Sequence, residues 1–288
     1  MTNSLLAQHW SYLQQFVKSA LNEDIQEADH TTQSTVEENH QSVAKLVCKD
    51  TGIWAGNPIL DLVTEAFDST LQVEKLKQDG DSLAKGDIIF TISGSTRSIL
   101  TTERVILNFV QHLSGIATKT NNVAQLINDL PTNLLDTRKT TPGFRVLEKW
   151  AVSVGGGKNH RFGLYDMVMI KDNHIDQCGS ITKAVERCVE YQKAKGLRLR
   201  IEVETRTLEE VQEVMSLPAV DWIMLDNFSP DLIREALQII NKQKITEASG
   251  GINDHNIRAY AETGVDFISS GSLTQRARAL DLSLKIVK

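Results

Sequence analysis

The chain has 288 residues and a formal net charge of −6, enough for one or two domains with a sizeable core. Its 41% hydrophobic and 24% charged residues are ordinary for a soluble globular protein, and no apolar run approaches the roughly 20 residues that span a bilayer. An acidic balance argues against general nucleic-acid affinity, and the start of the chain lacks the basic segment and unbroken apolar core of a secretory signal.

Leu5, Leu6, Trp10, Leu13, Phe16, Val17 and Leu21 recur at helical spacing, so the chain opens on an amphipathic helix. Its polar face is not basic, which favours core packing over membrane binding. The acids and threonines of LNEDIQEADHTT suit a turn and a new helix cap. From Ser42 to Ile99 short apolar runs alternate with Asp79-Gly80-Asp81 and Lys85-Gly86-Asp87 turns, predicting strands and a helix around Asp61 to Ala66. Thr102 to Ile127 reads as one or two helices, with Gly115 as a possible break, and the domain boundary falls in or just after this link. Cys48, Cys178 and Cys188 form no CxxC pair and read as reduced thiols of a cytoplasmic protein.

The second part alternates regularly. Strands are expected at 133–136, 167–170, 197–203, 221–225, 244–248 and 265–269, with helices at 142–154, 180–194, 206–216, 230–241 and 254–262. Repeated βα units imply a parallel sheet, either doubly wound or closed into a barrel. No GxGxxG opens a helix directly after a strand, whereas Arg138, Lys171, Glu204, Asp226, Ser249 and Ser270 each end a strand. Polar residues ringing the C-terminal ends of the strands are the layout of a barrel active site.

One stretch, Asp136 to His174, concentrates Arg138, Lys139, Arg145, Lys149, Lys158, His160, Arg161 and Lys171. A cationic cluster in an acidic protein is a focused anion site. EASGGIN and ISSGSLT end two late strands, and such Ser/Gly turns leave backbone N–H groups free to hold a phosphate. Glu204 and Asp226 offer oxygen ligands for Mg²⁺ or acceptors for sugar hydroxyls. Glu202 shares a face with Glu204, and the pattern leaves open which of them meets the ligand. Without a Ser–His–Asp pattern, a HExxH or a partnered cysteine, the residues suit chemistry driven by charge neutralisation and positioning.

DTRKTTPGFRVLEKWAV, GGGKNHRFGLYDMVMIKDNHI, IEVET, IMLDNFSP, EASGGI and DFISSGSLT, in this order, resemble the signatures of quinolinate phosphoribosyltransferase, and the likeness covers essentially the whole chain. The resemblance implies an α/β fold in which an N-terminal α/β sandwich domain (1–115) precedes an open, TIM-like α/β barrel (116–274), with a helix or tail (275–288) packing back on the first domain. It implies a homodimer with shared active sites, in which Arg104 reaches in from the partner subunit. The implied reaction joins quinolinate to phosphoribosyl pyrophosphate with Mg²⁺, giving nicotinate mononucleotide, pyrophosphate and CO₂ in NAD biosynthesis. Carried over by motif, Arg138, Lys139, Thr140, His160, Arg161 and Lys171 would bind the quinolinate carboxylates and pyrophosphate. Lys139, Lys171, Glu204 and Asp226 would form the catalytic set, the two acids also meeting Mg²⁺ directly or through water. Ser249, Gly250, Gly251, Ser270, Gly271 and Ser272 would bind the 5′-phosphate. Ser272, Trp150 and Ala28-Asp29-His30 depart from the usual pattern, with consequences confined to local geometry. A Schiff-base aldolase is the rival enzyme class, because Lys139 and Lys171 sit at strand ends.

Overall fold

A computed structural model describes residues 2–287. The chain forms two compact units, one of Met1–Asn121, Thr140–Gly156 and Leu273–Lys288, the other of Asn122–Lys139 and Gly157–Ser272. The first unit opens with α1 (Thr2–Gln8) and α2 (Trp10–Ile25), which bury Leu6, Leu13, Val17 and Leu21. One continuous helix was the expectation; it divides at His9, whose Nδ1 donates to the Leu5 carbonyl at 3.0 Å. Asp29 caps α3 (His30–Thr35) by accepting from the Thr32 N–H at 2.9 Å. Then follow β1 (Gln41–Cys48), β2 (Gly52–Ile53), α4 (Asn57–Phe67), β3 (Gln72–Lys75), β4 (Ser82–Leu83) and β5 (Ile88–Ser95). Alternation in β1 turns Ala44, Leu46 and Cys48 into the core and leaves Val43 exposed.

Next comes α5, unbroken from Thr96 to Gln125. Gly115 does not interrupt it. A Cβ there would collide with the Arg278 carbonyl oxygen, so the glycine serves a close backbone approach. Gly115→Ala should therefore lower stability by about 2 kcal/mol or more, read from the urea midpoint at unchanged slope.

In the second unit β6 (Asn133–Leu135) is the first strand. The chain then returns to the first unit for α6 (Arg145–Val154). Phe144 fixes it there, stacking on Phe109 at 5.4 Å and meeting Phe16 edge-on at 5.1 Å. Within the same unit Tyr12 donates to the Gly143 carbonyl, and the fully buried Glu148 lies 2.9 Å from His112 Nε2.

The second unit continues through β7 (Val168–Ile170), α7 (Asp172–Cys178), α8 (Ile181–Lys195), β8 (Ile201–Thr205), α9 (Leu208–Met215), β9 (Trp222–Asp226), α10 (Pro230–Ile240), β10 (Ile245–Ser249), α11 (Ile257–Ala261) and β11 (Phe267–Ser269). Its six strands are parallel in the order β6-β11-β10-β9-β8-β7. Lys158 makes a parallel bridge to Leu135 on the free side of β6, and β7 ends the ladder, so the barrel is open rather than closed. Short α12 (Ser272–Gln275) leads to β12 (Leu282–Ile286), which pairs antiparallel with β1 at the edge of the first unit's four-stranded sheet, order β12-β1-β5-β3. The closing segment is thus a strand, and the alternation of Leu280, Leu282, Leu284 and Ile286 is its cause.

Candidate active site

Strand alternation builds the barrel interior in layers. The register sets Glu202 beside Trp222 and Met169, and Glu247 beside Met224 and Phe267. Leu135, Met167 and Trp222 pack with Ile245 and Phe267 into an apolar cluster. Glu202 and Glu247, with no exposed surface, pair in register with Trp222 and Phe267 of that cluster, and further along the strands Glu204, Asp226 and Ser249 reach the C-terminal rim. Polarity rises along the barrel until charge meets solvent at the strand ends.

The arm after β6 is held by Asp136, fully buried. Its backbone N–H bonds the Lys158 carbonyl at 3.0 Å, and its carboxylate accepts from the His160 N–H at 2.8 Å and from Asn159 Nδ2 at 2.6 Å. One carboxylate thus ties the Arg138-Lys139 turn to the Asn159-His160-Arg161 turn. Lys139 N–H bonds Thr137 Oγ1 at 3.1 Å, and Arg161 Nη1 donates to the Met167 carbonyl at 3.2 Å. Burial, and next the like charge of Arg138, pull the Arg161 guanidinium below its ordinary pKa, while Glu202 and Asp166 support its charge. Two arginines that feel each other's charge suit a dianionic ligand.

Opposite in sign is the cluster after β7, β8 and β9. Lys171 Nζ lies 2.6 Å from Glu204 Oε2, whose side chain is 8% exposed. Burial, followed by the charge of Glu204, pushes the Asp226 carboxyl up, while Asn227 and Lys171 act against that rise. Glu204 therefore lies at this rim, and Glu202, on the same face of β8, lies two residues deeper. Asn227 has φ +58, donates from Nδ2 to Asp226 Oδ2 at 2.6 Å, and gives its N–H to the Ser249 carbonyl at 2.8 Å.

The turn after β10 carries Gly250 at φ +93 and Gly251 at φ +65. A Cβ on Gly250 would overlap the Asn227 side-chain amide and approach its backbone N at 2.8 Å. After β11, the Ser270 N–H is not open to a ligand, because it extends the ladder to the Leu135 carbonyl at 3.1 Å. Ser270 Oγ lies 3.2 Å from the Ile252 carbonyl and 2.8 Å from Ser272 Oγ, so this serine ties neighbouring loops together. Gly271 follows it at the same strand end.

Four further cations were singled out in the sequence. Arg145 and Lys149 belong to α6 of the first unit, where Arg145 Nε donates to Thr140 Oγ1 at 3.1 Å and Lys149 is fully buried. Lys158 lies 5.8 Å from the centre of the Phe267 ring. Arg104 is exposed on α5 of the first unit.

His160 turns inward. Nε2 lies 3.1 Å from Oε2 of both Glu202 and Glu247, and its ring stacks on Trp222 at 5.7 Å. Against the cost of burial, the two carboxylates draw its pKa up to about 10, toward imidazolium. Its Nδ1, however, lies 2.6 Å from the Arg161 backbone N–H. That group can only donate, so Nδ1 accepts and the proton is on Nε2. Geometry decides the tautomer, and the additional proton drawn into the cluster belongs to the carboxylates; burial, with the charge of Glu247 beside it, raises Glu202. Asp136, Asn159, Trp222 and Glu247 were not among the residues singled out in the sequence. Inward alternation along ITEAS was the available signal for Glu247.

Residues 116–285 match the C-terminal domain of quinolinate phosphoribosyl transferase, and residues 29–114 its N-terminal domain. A chloroplastic nicotinate-nucleotide pyrophosphorylase [carboxylating] of Arabidopsis thaliana is 43% identical over 95% of this chain and 82% of its own length. A probable enzyme of the same name from Bacillus subtilis is 44% identical, covering 92% of this chain and 90% of its own. The solved nicotinate-nucleotide pyrophosphorylase of Francisella tularensis superimposes with a TM-score of 0.88 at 40% identity, covering 96% of both chains.

Proposed function

The chain belongs to the quinolinate phosphoribosyltransferase family, and on that premise we propose how its barrel rim carries out the family's reaction. The protein is a decarboxylating phosphoribosyltransferase of NAD biosynthesis. The observation that carries the residue assignment is the opposition, within one barrel, of the Arg138–Arg161 pair to the Lys171–Glu204–Asp226 cluster. Quinolinate, a planar dianion, neutralises the first; its carboxylates suit arginine forks, with Lys139 and Lys171 adding point charges. Phosphoribosyl pyrophosphate lies against the second, its 5′-phosphate at the Ser249-Gly250-Gly251 turn and beside Gly271 and Ser272.

The pyridine nitrogen attacks C1′ as the C1′–O bond breaks and pyrophosphate leaves with the electron pair. Glu204 and Asp226 accept from the ribose hydroxyls and stabilise the oxocarbenium-like charge at C1′. The ring nitrogen, now quaternary, stabilises by its positive charge the electron pair left on C2 when the C2–carboxylate bond breaks and CO₂ departs, and that pair then takes a proton. No side chain need form a covalent bond with substrate.

Two neighbouring carboxylates, Glu204 nearly buried and Asp226 held up in pKa by burial and then by the charge of Glu204, form an oxygen-donor pair that fits Mg²⁺. Glu204 and Asp226 would hold it, directly or through water, and it would supply charge neutralisation for pyrophosphate. Chelation with excess EDTA should accordingly abolish turnover, and added Mg²⁺ should restore it, measured as nicotinate mononucleotide formed. Arg104, exposed on α5, is assigned to a neighbouring subunit's site in a homodimer. Among the described residues no helix is long and apolar enough to cross a membrane, and three free cysteines support a cytoplasmic location.

A nicotinate-using transferase is the alternative that the arginine pair opposes, since a monoanion leaves it half neutralised. The test is release of ¹⁴CO₂ from quinolinate labelled in the 2-carboxyl group. Release is expected only with phosphoribosyl pyrophosphate and Mg²⁺, matched by equal nicotinate mononucleotide, with nicotinate itself unreactive. Turnover of nicotinate without CO₂ release would overturn the reading.

A further inference from the structure

We infer that Asp136 is a positioning residue that determines specificity, a spacer that fixes the separation of Arg138 from Arg161. Its buried carboxylate stands where a backbone carbonyl would continue a parallel ladder, and the site therefore selects a ligand with two adjacent carboxylates. This rests on the reading above, in which the two arginines meet the carboxylates of quinolinate.

The ladder on the free side of β6 runs for two rungs. Lys158 gives its N–H to the Leu134 carbonyl at 2.8 Å, and its own carbonyl accepts the Asp136 N–H at 3.0 Å, as in any parallel pair. The third rung of that pattern would carry the His160 N–H to the Asp136 carbonyl. It reaches Asp136 Oδ1 instead, at 2.8 Å, and Oδ2 takes Asn159 Nδ2 at 2.6 Å. A side chain thus stands between two backbones that were directly bonded one rung earlier. The chains part here while remaining tied. One leads to Arg138 two residues on, the other to Arg161 directly after His160.

The device works by length. Asp136 is fully buried with both carboxylate oxygens engaged, so a change of rotamer would strand two donors. The charges that act on Arg161 are those of Arg138, Glu202 and Asp166, and Asp136 governs it through the turn rather than through its field. Arg161 is also held further out, where Nη1 donates to the Met167 carbonyl at 3.2 Å. A guanidinium anchored there tilts when its turn is moved.

Carboxylates on neighbouring ring carbons must be met by two forks at one separation. A lone carboxylate is met by one fork, wherever the other stands. The spacing therefore weighs on quinolinate and little on nicotinate, and a residue that touches neither tells them apart.

The test begins with full-length protein shown to convert quinolinate; failure at that step would refute the assigned reaction rather than the spacer. Asp136→Glu keeps the charge and both acceptors but adds one methylene. Asp136→Asn loses the charge but keeps the length and, once the Asn159 amide flips, both hydrogen bonds. In Asp136→Glu the KM for quinolinate is expected to rise about tenfold or more. The KM for phosphoribosyl pyrophosphate and the Ki of nicotinate against quinolinate should stay within about threefold, whereas a general loss of packing would move all three together. Asp136→Asn should restore most of the loss. Should Asp136→Glu not fold, Asn159→Ala removes one of the two ties at an exposed residue, and should raise the quinolinate KM about fivefold with the nicotinate Ki unchanged. Three results would overturn the proposal: Asp136→Asn losing as much as Asp136→Glu, a parallel rise in the nicotinate Ki, or an unaltered quinolinate KM in folded Asp136→Glu or, in its place, in Asn159→Ala.

Discussion

Lys171→Met is expected to cut kcat/KM by about 10²–10³-fold, the scale found when a preorganised charge at a reacting centre is removed. The lysine is placed by the end of β7 and the start of α7, and it meets Glu204 at 2.6 Å. Two effects follow from one deletion. The substrate anions lose a cation, and Glu204 keeps a nearly buried charge beside Asp226 with its nearest counter-ion gone. Because Lys171 is itself 43% exposed, solvent screens part of the pair, and the stability loss should be about 1–2 kcal/mol rather than the larger figure for a fully buried pair. The carboxyl of Asp226, already raised by burial and by Glu204, should rise further. A raised carboxyl is lost as an anion earlier when pH falls, so the acid limb of the rate profile should move toward neutral pH. Adding Glu204→Gln to Lys171→Met should recover stability and recover no activity. Initial rates across pH and urea melts of the single and double variants separate these effects. A single variant within about threefold of the parent would remove Lys171 from the machinery.

The barrel was legible in the sequence because each strand and helix repeats its own period over several residues. ITEAS, WIMLD and IEVET each present an acid or serine at a strand end, and the rim formed by Lys171, Glu204, Asp226 and Ser249 follows from that spacing. Three things were not legible. First, α7 is only seven residues and lies inside KDNHIDQC, too short and polar for a periodicity signal. Second, the affiliation of α6 depends on Phe144 meeting Phe16 and Phe109, contacts between residues far apart in sequence. That is why Arg145 and Lys149 joined the cationic cluster on paper and belong to another unit in space. Third, alternation places Glu202 and Glu204 on one face but does not say what waits at each depth. His160 at one level and Lys171 at the next separates their roles.

Gly250→Ala should show how much of the site depends on a single hydrogen atom. At φ +93 any side chain is strained, by about 1–2 kcal/mol, and here the new Cβ would also press on Asn227. Asn227 cannot retreat freely. It holds Asp226 Oδ2 through Nδ2, and its N–H continues the β9–β10 ladder to the Ser249 carbonyl. Its own φ of +58 makes it a residue already held in an uncommon conformation. Relief must come by moving the Gly250 turn or by releasing Asp226, and either change falls on the phosphoribosyl pyrophosphate side of the site. Stability should drop by about 2–3 kcal/mol, and kcat/KM for phosphoribosyl pyrophosphate by about 10²-fold. Quinolinate binding, measured by calorimetry without the second substrate, should change little, since Arg138 and Arg161 are held by Asp136 and the strands around β6. Gly251→Ala provides the contrast. It carries a similar positive φ, +65, but has open space where its Cβ would stand, so it should incur the strain alone and retain most activity. Equal losses in the two variants would mean that backbone strain, and not the contact with Asn227, governs this turn.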